Sequence, residues 1–331
     1  MSQLRVKTFS KFSSDLIKSF FYLVSTGVDG IAEDRGEIVV EGPDPMLGIG
    51  EALELVGELI DNERLPLTGR NDKTSKHYKR IMECVGSPLD APSSDLFVKA
   101  SKNLSNVVEC GDVEPLALMK TEFYEESRTP HFQGKVKGKV DVLGTILTFA
   151  GYVTWRLGRS SREGFSVVVT PLTPWTMGSG IGDVIVNYKR NKVKLPESAG
   201  IPWAFSLWLA VHLPLDSPVM VYHVKEGQRI SVSGGYFSDL KRIREGLNKT
   251  FTGNWENYLE DVLRYSLSKD SPKEAITFVQ KLYETVNGAL RKEELAFRGL
   301  RDYAGLIARE SGEENVVVRA IGMLASLISV E

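Results

Sequence analysis

The chain has 331 residues, 42% hydrophobic and 25% charged, and a net charge of −2 at pH 7. These are the values of a globular protein, long enough for two domains or one large one with a well-buried core. They exclude a disordered or low-complexity chain. The longest apolar runs, residues 142–157 and 201–213, are too short for a bilayer span, and the second is bracketed by Pro202 and Pro214.

The N-terminus has no apolar signal core, so the expectation is a cytoplasmic protein without membrane contact. Cys84 and Cys110 lie far apart and show no CxxC spacing. That reads as a reducing compartment, with each cysteine a small buried hydrophobe and neither a disulfide framework nor a zinc site.

In chain order, residues 16–24 are predicted to form a short helix, with Leu16, Phe20 and Leu23 at helical spacing and Ser13 or Ser14 as its cap. Residues 36–42 form a strand bounded by glycines, 43–50 a turn, and 51–60 a helix with Glu51, Glu54 and Glu58 on its wet face. From residue 28 to 63 there are eleven acids and one base, Arg35. Residues 69–80 are polar and basic and lead into an apolar patch at 81–85; 96–106 and 113–123 are helix candidates.

Residues 134–139 are a loop or edge that feeds the apolar run 140–157. That run is hydrophobic nearly all round and is predicted to be a core helix, with Arg156, Arg159 and Arg162 suiting its C-terminal dipole. Residues 165–170 and 181–188 read as two strands, 201–213 as a buried apolar element, and 218–224 and 229–232 as a strand pair. Beyond Gly235 the pattern turns helical over 241–248, 255–267, 272–286, 289–308 and 315–330. The fold class is therefore an α/β or α+β body over residues 1–235 and a C-terminal helical bundle over 236–331.

The segment from Arg128 to Lys194 carries eleven cations against Asp141, Glu163 and Asp183, a net of +8. Lysines recur at every second position (Lys135, Lys137, Lys139), followed by the three arginines and then Lys189, Arg190, Lys192 and Lys194. Cations presented between apolar runs suit a polyanion, above all nucleic acid, although the same pattern also describes the wet faces of strands. Aromatic residues lie among them, including Trp175 in a loop poor in apolar neighbours, where a ring can stack on an unpaired base.

Signs of catalysis are weak. Gly178, Gly180 and Gly182 precede a predicted strand and lack GK[ST] or GxGxxG, so the loop is either a hinge or a backbone contact for a phosphate. The four histidines show no HExxH and no pairing with cysteine; His212 and His223 flank a proline turn and read as a structural pair. Asp141 and Asp183 are expected to pair with local cations rather than hold magnesium. No catalytic residue, metal or cofactor is assigned, and the chain is not expected to be an enzyme.

With residues 132–139 (Phe-Gln-Gly-Lys-Val-Lys-Gly-Lys), the apolar run through Gly151-Tyr152 and the terminal helices in view, the chain resembles the large subunit of archaeal type I-A CRISPR interference (Cascade) complexes. The resemblance implies a non-catalytic antiviral defence subunit that contacts guide RNA and target DNA. It implies that the subunit reads the short protospacer-adjacent motif (PAM) and helps recruit the helicase-nuclease beside backbone and small subunits. Lys135, Lys137, Lys139, Arg156, Arg159, Arg162, Lys189, Arg190 and Lys192 are then the phosphate-binding candidates, and Trp175 and Asn187 the base-contact candidates. Arg291, Lys292, Arg298 and Arg301 would dock a neighbour or line the displaced strand. Two other readings stay open: a metal-dependent enzyme on nucleotides or nucleic acid that uses the 178–183 loop, or a purely structural assembly subunit.

Overall fold

The computed structural model describes residues 2–60, 65–67, 75–120, 138–160, 164–191, 196, 199, 201–226, 230–268, 272–289, 294–310 and 316–328. The chain divides into two units. The first holds residues 1–157, 168–193 and 221–235, and the second holds 158–167, 194–220 and 236–331.

The first unit opens with β1 (Ser2–Lys7), α1 (Lys11–Phe21), β2 (Gly30–Asp34) and β3 (Glu37–Gly42). The three strands form an antiparallel sheet in the order β1-β3-β2, with Leu4 opposite Val40 and Ile31 opposite Val40 on the other side. Arg35 and Gly36 make the two-residue hairpin loop, both at positive φ (48° and 83°), as a primed turn requires. The α1 cap is Ser10 rather than Ser13 or Ser14: Ser10 accepts from the Ser13 amide while the Ser13 hydroxyl receives the Ser10 amide, a closed capping box. Residues 43–50 are not a turn. Pro45 is the first residue of α2 (Pro45–Leu59) and Asp44 is its cap, because proline needs no amide partner there.

α3 (Lys76–Val85), α4 (Ser93–Lys102) and α5 (Leu104–Glu109) follow, then β4 (Asp112–Val113) and a 3₁₀ turn (Ala117–Lys120). Here one expectation is corrected: Cys84, near the end of α3, and Cys110, the residue that caps α5, form a disulfide with Cα atoms 6.2 Å apart. The helix pair brings the two together across 26 residues of sequence, a proximity that spacing alone does not reveal.

β5 (Val140–Asp141) pairs with β4 and runs straight into α6 (Val142–Trp155). Every residue of α6 is buried, as its all-round hydrophobicity demands. It packs on α1 at Gly151, where a Cβ would meet the Leu16 carbonyl oxygen at 2.1 Å. The Trp155 indole N–H donates to the Ser19 carbonyl at 2.9 Å. Asp141 serves α6 as its cap, receiving the Gly144 amide and, at 2.7 Å, the Lys7 amide. Its expected cation partner is replaced by two backbone amides, while burial pushes its carboxyl up from the usual aspartate value.

Strands β6 (Arg156–Ser160), β7 (Phe165–Pro171), β8 (Pro218–Lys225) and β9 (Ser231–Asp239) form a sheet in that order. The chain changes unit within these strands, at residues 157/158, 167/168, 220/221 and 235/236. In the second unit, α8 (Pro202–His212) packs with α9 (Leu240–Thr250), α10 (Glu256–Ser266) and α11 (Lys273–Ala289). α12 (Glu294–Glu310) and α13 (Val316–Ser326) complete the helices. Gly246 lets α9 approach α11, since a Cβ there would sit 2.5 Å from the Val286 carbonyl oxygen. The Arg244 guanidinium donates to the Leu215 carbonyl and the Asp216 carboxylate at 2.8 and 2.7 Å. The molecule is thus an α+β body with a helical C-terminal portion.

Candidate nucleic-acid interface

The region read as a strand over residues 181–188 is a helix, α7 (Ile181–Arg190). Val184, Ile185 and Val186 give it a β-like composition, but burial falls on Ile181, Ile185 and Tyr188, a helical period. The glycine loop therefore stands between strand β7 and the start of a helix, the order in which backbone amides become available to an anion. Gly178 and Gly180 both hold φ +72°, which favours glycine at these positions. Gly180 caps α7 with no side chain bonded to the first amides, and Asp183 sits exposed in that first turn.

This exposed loop, residues 172–180, is held by the C-terminal end of α1. The Trp175 indole N–H donates to the Phe21 carbonyl at 2.7 Å. The Tyr22 hydroxyl, pushed up to about 12 by burial, donates to the Thr173 carbonyl. Gly182 completes the seat: a Cβ there would lie 2.0 Å from the Tyr22 carbonyl oxygen. Trp175 is thus half-buried and its one donor is taken, so the structure gives it an anchoring place in the loop. Leu172 and Met177, by contrast, are exposed on the same loop.

The outer face of α7 carries Asp183, Asn187 and Arg190, all exposed at i, i+4 and i+7. Lys189 turns the other way. Its ammonium donates to the Val153 and Arg156 carbonyls at 2.9 and 3.3 Å, closing the end of α6. Arg156 does not lie on the α6 helix; it opens β6, with φ −75° and ψ 103°, and its guanidinium is 3.7 Å from the Glu226 carboxylate. Glu226 also accepts from the buried Tyr152 hydroxyl.

Of the other candidates, Lys139 is exposed just before β5, at the far end of α6 from Arg156, about 21 Å away along a 14-residue helix. Arg159 is exposed on β6 in the second unit, where its backbone pairs with Pro196 and Ala199. Lys135, Lys137, Arg162 and Lys192 lie outside the described residues. The structure therefore gathers Arg156 and Lys189 at the end of α6, and Trp175, Asn187 and Arg190 along one loop and helix.

Among the described residues no group of three or more His, Cys, Asp or Glu side chains is placed to hold a metal ion, and no helix is long and apolar enough to cross a membrane. His212 lies against Trp208 with ring centroids 3.8 Å apart and the rings tilted by 43°, in the second unit, and His223 belongs to the first. Lys76, Lys79 and Arg80 of α3 lie in the 69–80 run, whose composition marks it only as polar and basic. The helical period of Tyr78, Ile81, Met82 and Val85 was the signal that places these cations together on the opposite face.

Residues 54–303 match the family of CRISPR-associated protein CsaX. The chain belongs to that family. The CsaX match begins within α2 and ends within α12, so it takes in α3, α6, the 172–180 loop and α7. No curated protein matches the chain.

Proposed function

We propose that this CsaX-family chain is a non-catalytic, nucleic-acid-binding subunit of a type I-A CRISPR effector complex, in the position of the large subunit. It contacts guide RNA and target DNA, reads the short motif beside the target, and helps bring in the helicase-nuclease next to backbone and small subunits. The observation that carries the reading is the anchored loop and α7. An exposed glycine-bearing loop, seated on the carbonyls at the end of α1, leads to a helix whose outer face offers Asn187 and Arg190. Family membership supplies the CRISPR context.

Backbone amides and cations position a phosphate chain, and a carboxamide has the donor and acceptor needed at a base edge. Arg190 and Lys139 are exposed and serve phosphates; Asn187 serves a base. Lys135, Lys137 and Lys192, outside the described residues, extend the cationic set of the first unit, and Arg159 and Arg162 are phosphate candidates of the second unit by themselves. Arg156 and Lys189 support the site from the end of α6.

The test is binding of labelled RNA and DNA to the full chain over a salt series. The reading expects affinity to fall steeply with salt, and Lys139→Glu with Arg190→Glu to flatten that slope by about two units. Asn187→Ala should relax discrimination between target-flanking sequences at an unchanged slope. Binding that ignores salt, or no binding at all, overturns it.

A further inference from the structure

We infer that the outer face of α3, through Lys76, Lys79 and Arg80, is a second nucleic-acid contact, one that grips the phosphate backbone of duplex DNA without reading sequence. The inference rests on the nucleic-acid-binding reading above and adds a site to it. Among the described residues of the first unit, several cations are already engaged by the molecule itself. Lys7 pairs with Asp112 at 2.8 Å, Lys11 with Asp15 at 2.6 Å, Arg5 with Glu37 at 3.2 Å and Lys99 with Asp95 at 3.0 Å. Lys18 pairs with Glu33, and Arg156 and Lys189 are held as described.

α3 instead gathers three neighbouring cations on one face. Lys76, Lys79 and Arg80 are all exposed at i, i+3 and i+4, and among the described residues no carboxylate forms an ion pair with any of them. Arg80 spends one N–H on the Cys110 carbonyl at 2.5 Å. Glu83 shares the face and His77 is 3.4 Å from Glu114 at its flank, so the face remains net positive.

The helix that carries these cations is fixed. Ser75 caps its start at 3.0 Å, and Gly86 ends it in the left-handed conformation. The Cys84–Cys110 disulfide and the Asn106 and Asn103 carboxamides, which donate to the Cys84 and Val85 carbonyls at 2.6 and 2.8 Å, hold its last turn. Cations on a rigid support lose little freedom on binding.

Two features select the occupant. Three cations within about 6 Å of helix axis approach the charge density of a duplex, one charge per about 1.7 Å. Single strands are bound by cations interleaved with stacking aromatics, and among the described residues this face exposes no Phe, Tyr or Trp, since Tyr78 is buried. The surface suits backbone contact with a duplex.

The experiment measures affinity of the full chain for a DNA duplex of arbitrary sequence, the corresponding single strand and an RNA duplex, across a salt series. Lys76→Glu with Lys79→Glu, and the triple variant with Arg80→Glu, are compared with the wild type and with the α7 variant Arg190→Glu. The expected result is a loss of tenfold or more in duplex DNA affinity and a salt slope flatter by two to three units. The Lys76→Glu/Lys79→Glu protein, which keeps the Arg80 bond, should melt as the wild type does. Unchanged duplex DNA binding by both α3 variants overturns the inference. If Arg190→Glu weakens binding in that case, the proposed function still stands. Loss confined to single-stranded DNA or RNA duplex overturns the assignment to duplex DNA. A wild type that binds no nucleic acid overturns both readings.

Discussion

Arg156 lies 3.7 Å from the Glu226 carboxylate, so one of the cations that the sequence offers to a phosphate chain already has an opposite charge from its own molecule. The pair is partly shielded, with side-chain exposures of 17% and 35%, and Glu226 is steadied by the buried Tyr152 hydroxyl. Arg156→Gln is expected to cost about 1 kcal/mol of stability, through the ion pair and the packing of the side-chain stem. Nucleic-acid affinity should stay within about twofold, as counterion release requires a cation free to meet a phosphate. Denaturant melts alongside binding isotherms check this. A loss of affinity as large as that of Arg190→Glu, at unchanged stability, would show that Arg156 faces the ligand instead.

Gly182 links the packing of α7 to the position of the loop. An added Cβ would meet the Tyr22 carbonyl oxygen at 2.0 Å, which is backbone and cannot swing aside. Gly182→Ala should therefore destabilise by about 2 kcal/mol even though alanine is the better helix former. Gly178→Ala tests a different property: it has open space but a φ of +72°, and the expected cost is about 1–2 kcal/mol from backbone strain alone. Thermal melts of the two variants separate the effects, and a Gly182→Ala protein as stable as wild type would refute the close seat.

The Cys84–Cys110 disulfide closes a loop of 26 residues. In the chain-entropy treatment a crosslink of that length is worth about 3–4 kcal/mol. Reduction, or a Cys84→Ser/Cys110→Ser variant, should lower the melting temperature by several degrees and loosen α3 first. Hydrogen exchange read at residues 76–85 is the measurement. Protection there that does not change on reduction would contradict the stapling role.

His212 sets a pH dependence. Burial against Trp208 holds its imidazole below the ordinary value of 6.5, with Glu260 opposing in part. The unfolded chain then takes up a proton near pH 6.5 that the folded chain accepts only at lower pH. Stability is fully present above 6.5 and declines as the pH falls from there towards the folded value. Melting the wild type and His212→Gln at pH 7.5 and 5.5 should show the larger decline in the wild type. Equal declines would mean that His212 titrates normally.

Much of the architecture was legible because it depends on patterns that burial enforces locally. The core helix α6 announced itself by being apolar on every side, and α9 to α13 by their period and stop signals. α7 was hidden because three consecutive residues, Val184, Ile185 and Val186, have strand-like composition, and only the burial of Ile181, Ile185 and Tyr188 shows the helical face. The disulfide and the Arg156–Glu226 pair join positions 26 and 70 residues apart, and no local pattern encodes either. For the candidate interface, residue types and net charge were visible, whereas which cations are spoken for was not. Lys189 and Arg190 are neighbours in sequence, yet one closes a helix end and the other faces solvent.

The most direct measurement is affinity purification of the full chain from its own cells, with sequencing of co-purifying RNA and identification of co-purifying proteins. The account predicts small RNAs bearing CRISPR repeat sequence, together with the other subunits of an effector complex. Recovery of the chain free of RNA and of CRISPR proteins, from cells that express the locus, would contradict it.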